Sequence, residues 1–209
     1  MATLFQQPYP QQMQALLDEH MNWHMSSPDQ GGRQIPKGQA GSGLEFLTFH
    51  TTYIAQFHSW YDMQQGNDQG LVAPYWSDVP QQLQDPQYGW NNTFASQRNN
   101  FINNPLAYPS ADAFGIALEN GIHDWIHGAV AAYTGDPNIG SPMTNAPVCS
   151  YFYQIHGLVQ YWWTQWEIAN AVAEQQHLQP ANPTIAAVAQ PQKSPSLTAS
   201  GHRGRRRTH

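Results

Sequence analysis

Ten histidines outnumber the eight lysines and arginines of this 209-residue chain, and six of them fall into a repeated pattern. His20 and His24 are four residues apart, and so are His123 and His127. Each pair is followed by a single histidine, His50 after the first and His156 after the second. On a helix, positions i and i+4 share one face with Cβ atoms about 6 Å apart. Both imidazoles of a pair can therefore reach one metal ion, and a third from another helix completes a three-nitrogen site with open positions. Two such sets facing each other would hold two metals in the core of a helix bundle. Imidazole-only ligation suits copper, zinc or iron. The di-iron pattern, a Glu plus a Glu-x-x-His on two helices, is not present, since Glu-x-x-His occurs once, at Glu174 and His177. One pair alone arises readily by chance, whereas two pairs with matching third histidines point to a metal site.

The elements that must position these residues can be read from periodicity. Residues 10–25 predict an amphipathic helix with Met13, Leu16, Leu17, His20 and His24 on one face, stopped by Pro28 and Gly31-Gly32. Residues 28–43 read as loop. A second helix is expected over 44–64, with Leu44, Leu47, His50, Ile54, Phe57 and Tyr61 on one face. Residues 66–110, rich in Asn, Pro and aromatics, show no sustained period and predict a long irregular excursion with short helical turns. A third helix is expected over 112–133, stopped by Gly135-Asp136-Pro137, then a loop over 138–149 and a very aromatic fourth helix over 150–177. The fold class is all-α: an antiparallel four-helix bundle with a dinuclear metal site in its core and long irregular loops. The domain spans 1–178. Residues 179–209, dominated by Pro, Ala, Gln and Ser and closing on GHRGRRRTH, predict a disordered tail.

Composition limits the function. Charged residues make up 11% of the chain, less than half of the roughly 25% of a typical soluble domain. All fourteen acidic residues precede residue 180, against Arg33, Lys37 and Arg98, a balance of −11. A surface this acidic repels phosphate backbones, which excludes nucleic acid as a partner. Cys149 is the lone cysteine, which excludes an intrachain disulfide and an all-thiolate site; it reads as a small buried residue. No apolar run reaches the ~20 residues of a membrane span, and the N-terminus lacks the basic and apolar regions of a signal peptide. The expected location is cytoplasmic, with export alongside a partner left open.

The chain, most clearly in its second half, resembles the tyrosinases, catechol oxidases and hemocyanins, the type-3 dicopper proteins. ALENGIHDWIHGAVAA (117–132) looks like the second-copper segment, with Glu119 four residues before the first histidine of the pair. In APVCSYFYQIHGLVQYWWTQWE (146–167), Phe152, Tyr153, His156, Trp163 and Trp166 fall in register with the family's last-ligand segment. In FLTFHTTYIAQFH (46–58), Phe46, Leu47, His50, Tyr53 and Phe57 match its first-copper helix. The resemblance covers about residues 15–170 and describes an atypical, minimal, bacterial-type member. Five positions depart from the pattern: Gly41 stands where the middle ligand of the first copper is expected, Thr51 for an Arg, Cys149-Ser150 for Asp-Pro, and Gln160 for an Asp. The first site therefore needs another ligand. His20, one turn before His24, supplies it in the manner of arthropod hemocyanins. His58 is its rival, but lies about 12 Å along the helix axis from His50 at 1.5 Å per residue.

The resemblance implies two copper ions, one on His20, His24 and His50 and one on His123, His127 and His156, with O2 as co-substrate. It implies oxidation of phenols: ortho-hydroxylation of monophenols, oxidation of o-diphenols or aminophenols to quinones, or both. A hemocyanin-like O2-binding protein and a His-ligated zinc protein are the alternatives. Glu119 matches a family residue that holds water near the second copper. With Asp124 beside it, Glu119 is expected to take the phenol's proton or, as the other reading, to orient a ligand histidine through its second ring nitrogen. Asp124 itself reads as a solvated helix residue. Small phenols are the expected partners, a copper-delivery protein and self-association are further possible ones, and the acidic surface favours neutral or cationic phenols. The aromatics of 151–166 are expected to form core, and His177, His202 and His209 to be peripheral.

Overall fold

The computed structural model describes residues 4–140 and 143–178. The described residues form seven α-helices: α1 Gln11–Met25, α2 Ser42–Tyr61, α3 Gln69–Val72, α4 Asn92–Asn103, α5 Ala111–Leu118, α6 Asp124–Thr134 and α7 Ser150–Leu178. No β-strand occurs among the described residues, and no helix among them is long and apolar enough to cross a membrane. The tail over 179–209, with His202 and His209, and the side chain of His177 lie outside what is described.

Each ligand-bearing helix buries one apolar stripe. On α1 this is Met13, Leu16, Leu17, His20 and Trp23, at helical spacing. On α2 it is Phe46, Leu47, His50, Tyr53, Ile54, Phe57 and Tyr61. On α7, about 43 Å long by its 29 residues, Phe152, Tyr153, Ile155, Leu158, Trp162 and Trp166 are buried. The expected aromatic core is therefore present, though Tyr161 is exposed.

Helix α2 packs most extensively against α5. Gly43 and Gly115 make this approach possible, because a Cβ on either would overlap the backbone of the facing segment. The N-terminus of α2 has no side-chain cap of its own. Asp112, in the first turn of α5, supplies one: its carboxylate accepts from the N–H groups of Gly41 (2.8 Å), Gly43 (2.9 Å) and Leu44 (3.2 Å). Those bonds pull the Asp112 carboxyl below its usual range.

Two expectations need correction. The excursion over 66–110 contains the short helix α3 and several 3-10 turns, as expected, but also the twelve-residue helix α4. Its period is weak because Phe101 is its one fully buried residue. The capping signal was present in Asn91, whose side chain accepts from the N–H groups of Thr93 and Phe94. The single helix expected over 112–133 is two helices joined by a π-helical turn, Glu119–His123, with Gly121 at non-helical angles (φ −116°, ψ −111°). The side chain of Gln97, from α4, fills the place where a Cβ on residue 121 would go. Such π turns are frequent at functional sites because they re-aim the side chains that follow.

Candidate metal centre

The six histidines come together as two triads. His20, His24 and His50 have ligand atoms all within 4.8 Å of one another, and so do His123, His127 and His156. Either triad could hold a metal ion. The first is built from α1 and α2, the second from the end of the π turn, α6 and α7. They abut: the rings of His50 and His156 are stacked, with centroids 4.3 Å apart and planes within 5°. Phe46 packs against both His50 and His123, and Phe152 against both His20 and His156. All but His24 are almost fully buried, at 1–2% exposure.

Nine ring nitrogens in this centre are buried without a hydrogen-bond partner: both of His20, His123 and His156, and Nε2 of His24, His50 and His127. Each orphaned polar group costs roughly 1–3 kcal/mol, so this many in one place fit a bound ligand rather than a satisfied core. Two tautomers are set by the backbone. His50 Nδ1 lies 2.9 Å from the Phe46 carbonyl and His127 Nδ1 2.9 Å from the Ile139 carbonyl. An Nδ1–H donated there leaves Nε2 free with its lone pair toward the centre. Burial, and then the neighbouring histidines, hold His20, His50, His127 and His156 well below the ordinary value of 6.5. Burial, followed by His123, Arg33 and Lys37, lowers His24 to about 3. These five rings are neutral at pH 7, which is the metal-binding form.

The carboxylates singled out in the sequence are both paired with cations of the 26–41 loop. Glu119, 2% exposed, receives a forked contact from Arg33 at 2.7 and 3.3 Å. Arg33 also donates to the carbonyls of Ile35 and Ser42 and lies over the Trp23 ring at 4.8 Å. Glu119 makes no hydrogen bond to a ligand histidine, so the expectation that it orients one is corrected; the nearby guanidinium takes both of its oxygens. Asp124 is 43% exposed, as expected of a helix-face acid, and pairs with Lys37 at 2.5 Å. Desolvation raises its carboxyl, but His123 and Lys37 together outweigh that and bring it to about 2. At that value it is a weak base. Arg33, Lys37 and Asp112 carried no local signal, since their partners lie 68 to 87 residues away.

His58 is not part of the first triad; His20 takes the third position. A cavity of about 320 Å3 between α2 and α7 is lined by His50 and His156, one histidine from each triad. Ile54, Ala55 and Val159 form apolar wall, Thr51 and Gln160 pair by a 2.5 Å hydrogen bond, and His58 and Tyr75 complete the lining. Positions 51 and 160, both departures from the dicopper pattern, thus touch each other. Cys149 is fully buried, with its thiol pushed up to about 11 by desolvation.

No protein-family model, curated protein or solved structure matches this chain.

Proposed function

We propose that the two triads hold two copper ions and that the protein oxidises small phenols with O2, as tyrosinases and catechol oxidases do. The antiparallel four-helix bundle around the centre belongs to this reading. One observation carries it: two abutting all-imidazole triads, with five of the six rings almost fully buried, share a cavity that touches one histidine of each. Imidazole nitrogens without carboxylates suit copper, and paired metal sites commonly clamp one substrate.

Bound copper supplies the redox chemistry by which O2 converts two o-diphenols to two o-quinones and two waters. The chain supplies the rest. The backbone carbonyls of Phe46 and Ile139 hold His50 and His127 in the ligand tautomer. Phe46 and Phe152 keep water from the centre, which prevents side reactions. Ile54, Ala55 and Val159 present an apolar wall to an aromatic ring. Glu119 and Asp124 act mainly on the loop, by holding Arg33 and Lys37 beside the second triad.

Metal analysis of the purified chain, followed by a panel of phenols and aminophenols under air, tests the proposal. Two coppers per chain, quinone formation and a strong near-ultraviolet band after copper and peroxide support it. Copper with the band but no turnover makes the protein an O2 carrier. Zinc without the band makes it a zinc protein. A shared cavity this size, about 320 Å3, favours the enzyme over the carrier, since carriers shield their site.

A further inference from the structure

The outer lining of the α2–α7 cavity carries polar groups that the triads do not use. His58 lies two turns beyond His50 on α2, with its side chain 19% exposed. Its Nδ1 is 3.8 Å from the Asp62 carboxylate and its Nε2 is 2.6 Å from the Tyr75 hydroxyl. Asp62 is itself held by the side-chain amide of Gln69 at 2.6 Å. An acid beside Nδ1 keeps the ring proton there, so Nε2 is the acceptor and the Tyr75 O–H donates to it. The Tyr75 ring sits on Gly157, next to the ligand His156, so closely that a Cβ on residue 157 would overlap it. Tyr75 comes from the loop after α3 and is 37% exposed, so it can leave without unpacking the core. Elsewhere the lining offers little: Thr51 and Gln160 satisfy each other, and the remaining wall is apolar.

We infer that His58, backed by Asp62, reads the far end of the substrate: it accepts a hydrogen bond from an amine tail in the para position, taking the place of Tyr75. The inference rests on the phenol-oxidation reading of the same centre and names its substrate class, phenols with a short aminoalkyl tail. A phenol whose hydroxyl lies at His50 and His156 points its para substituent along α2 toward His58. Asp62 adds a negative charge behind the imidazole, which favours an ammonium group over a carboxylate. His58 is a positioning residue in this account, since it meets the tail and not the reacting oxygen.

Calorimetry on the full chain as purified, with 4-(2-aminoethyl)phenol, 4-ethylphenol and 4-hydroxyphenylacetate, tests this without relying on turnover. The amine is expected to bind about tenfold more tightly than 4-ethylphenol, the effect of one hydrogen bond from a charged donor, and the carboxylate most weakly. His58→Leu should bring the amine-to-ethyl ratio close to one. His58→Gln, which keeps an acceptor, should retain a severalfold preference. Tyr75→Phe frees His58 and should strengthen binding of the amine severalfold while leaving 4-ethylphenol unchanged. Circular dichroism checks that each variant is folded. A wild-type protein without the preference, or a His58→Leu variant that keeps it, overturns the inference. Copper content and quinone formation on the same samples separate the two readings. An active copper oxidase whose preference ignores His58 overturns this inference alone. A copper-free protein whose preference depends on His58 overturns the proposed reaction and supports His58 as the tail acceptor.

Discussion

His20 decides whether the first triad exists. Its ring is 4.6 Å from His24 and 5.7 Å from His50 by centroids, whereas His58 is turned to Tyr75. Removing His20 leaves two imidazoles and no nearby replacement. We expect His20→Ala to reduce bound metal from two ions per chain to one, by elemental analysis, and His58→Ala to leave two. The same residues set the acid limit of the metal-free protein. The depressed histidines are neutral when folded and charge near 6.5 when unfolded, so below that pH the unfolded chain binds more protons. Their contribution is present above about 6.5 and is lost progressively as pH falls toward about 3, the value for His24. A urea-melt series from pH 7 to pH 4 should show the midpoint falling steadily; a flat series would mean these rings are not buried as described.

At the scale of elements, two glycine positions and one π turn place the second triad against the first. The Gly43–Gly115 approach locks α2 to α5, and α5 leads through the π turn into His123 and His127. A methyl group at residue 115 must push backbone away, and overpacking of this kind costs about 1–3 kcal/mol. Gly115→Ala should therefore lower the urea midpoint with the slope unchanged, and should weaken metal binding at both triads together, because α2 carries His50 and the α5–α6 unit carries His123. Loss of metal at one triad only would refute this coupling. The π turn escaped periodicity because Leu118, Ile122 and Ile126 keep an apolar spacing that suits an unbroken helix. The break is at Gly121, against which α4, an element whose apolar pattern is too sparse to read, places the side chain of Gln97.

The whole molecule is arranged around a polar, unsatisfied interior. A buried cluster of unpartnered imidazole nitrogens is unfavourable by itself, and a metal that binds only the folded chain repays it by linkage. With free metal at one hundred times its Kd, stabilisation is about 2.7 kcal/mol, and for a chain of this length each kcal/mol is worth about 2–4 °C. Copper or zinc should thus raise Tm by roughly 5–10 °C in a thermal melt, and a chelator should reverse it. In the His20→Ala, His123→Ala double variant the shift should vanish. The loop over 26–41 ties this interior shut through Arg33–Glu119 and Lys37–Asp124. Of these, the buried Arg33 contact is the one expected to matter, since exposed pairs such as Lys37–Asp124 contribute at most about 1 kcal/mol.

Local sequence rules were enough for the all-α class of the described residues and for the six candidate ligands. Both follow from local rules: apolar residues repeat with the helical period, and two histidines four apart must share a face. Spacing along one helix also argued against His58 as a partner of His50, since eight residues of rise separate them. Tertiary structure alone decided which helices meet, and with that everything that depends on contact across the chain. Asp112 caps a helix that begins some seventy residues earlier, Arg33 occupies the carboxylate of Glu119, and His58 and Tyr75 meet in one cavity with His50 and His156. No periodicity encodes such pairs, because side-chain partners far apart in sequence are chosen by packing, and packing is settled only when the helices close around their common centre.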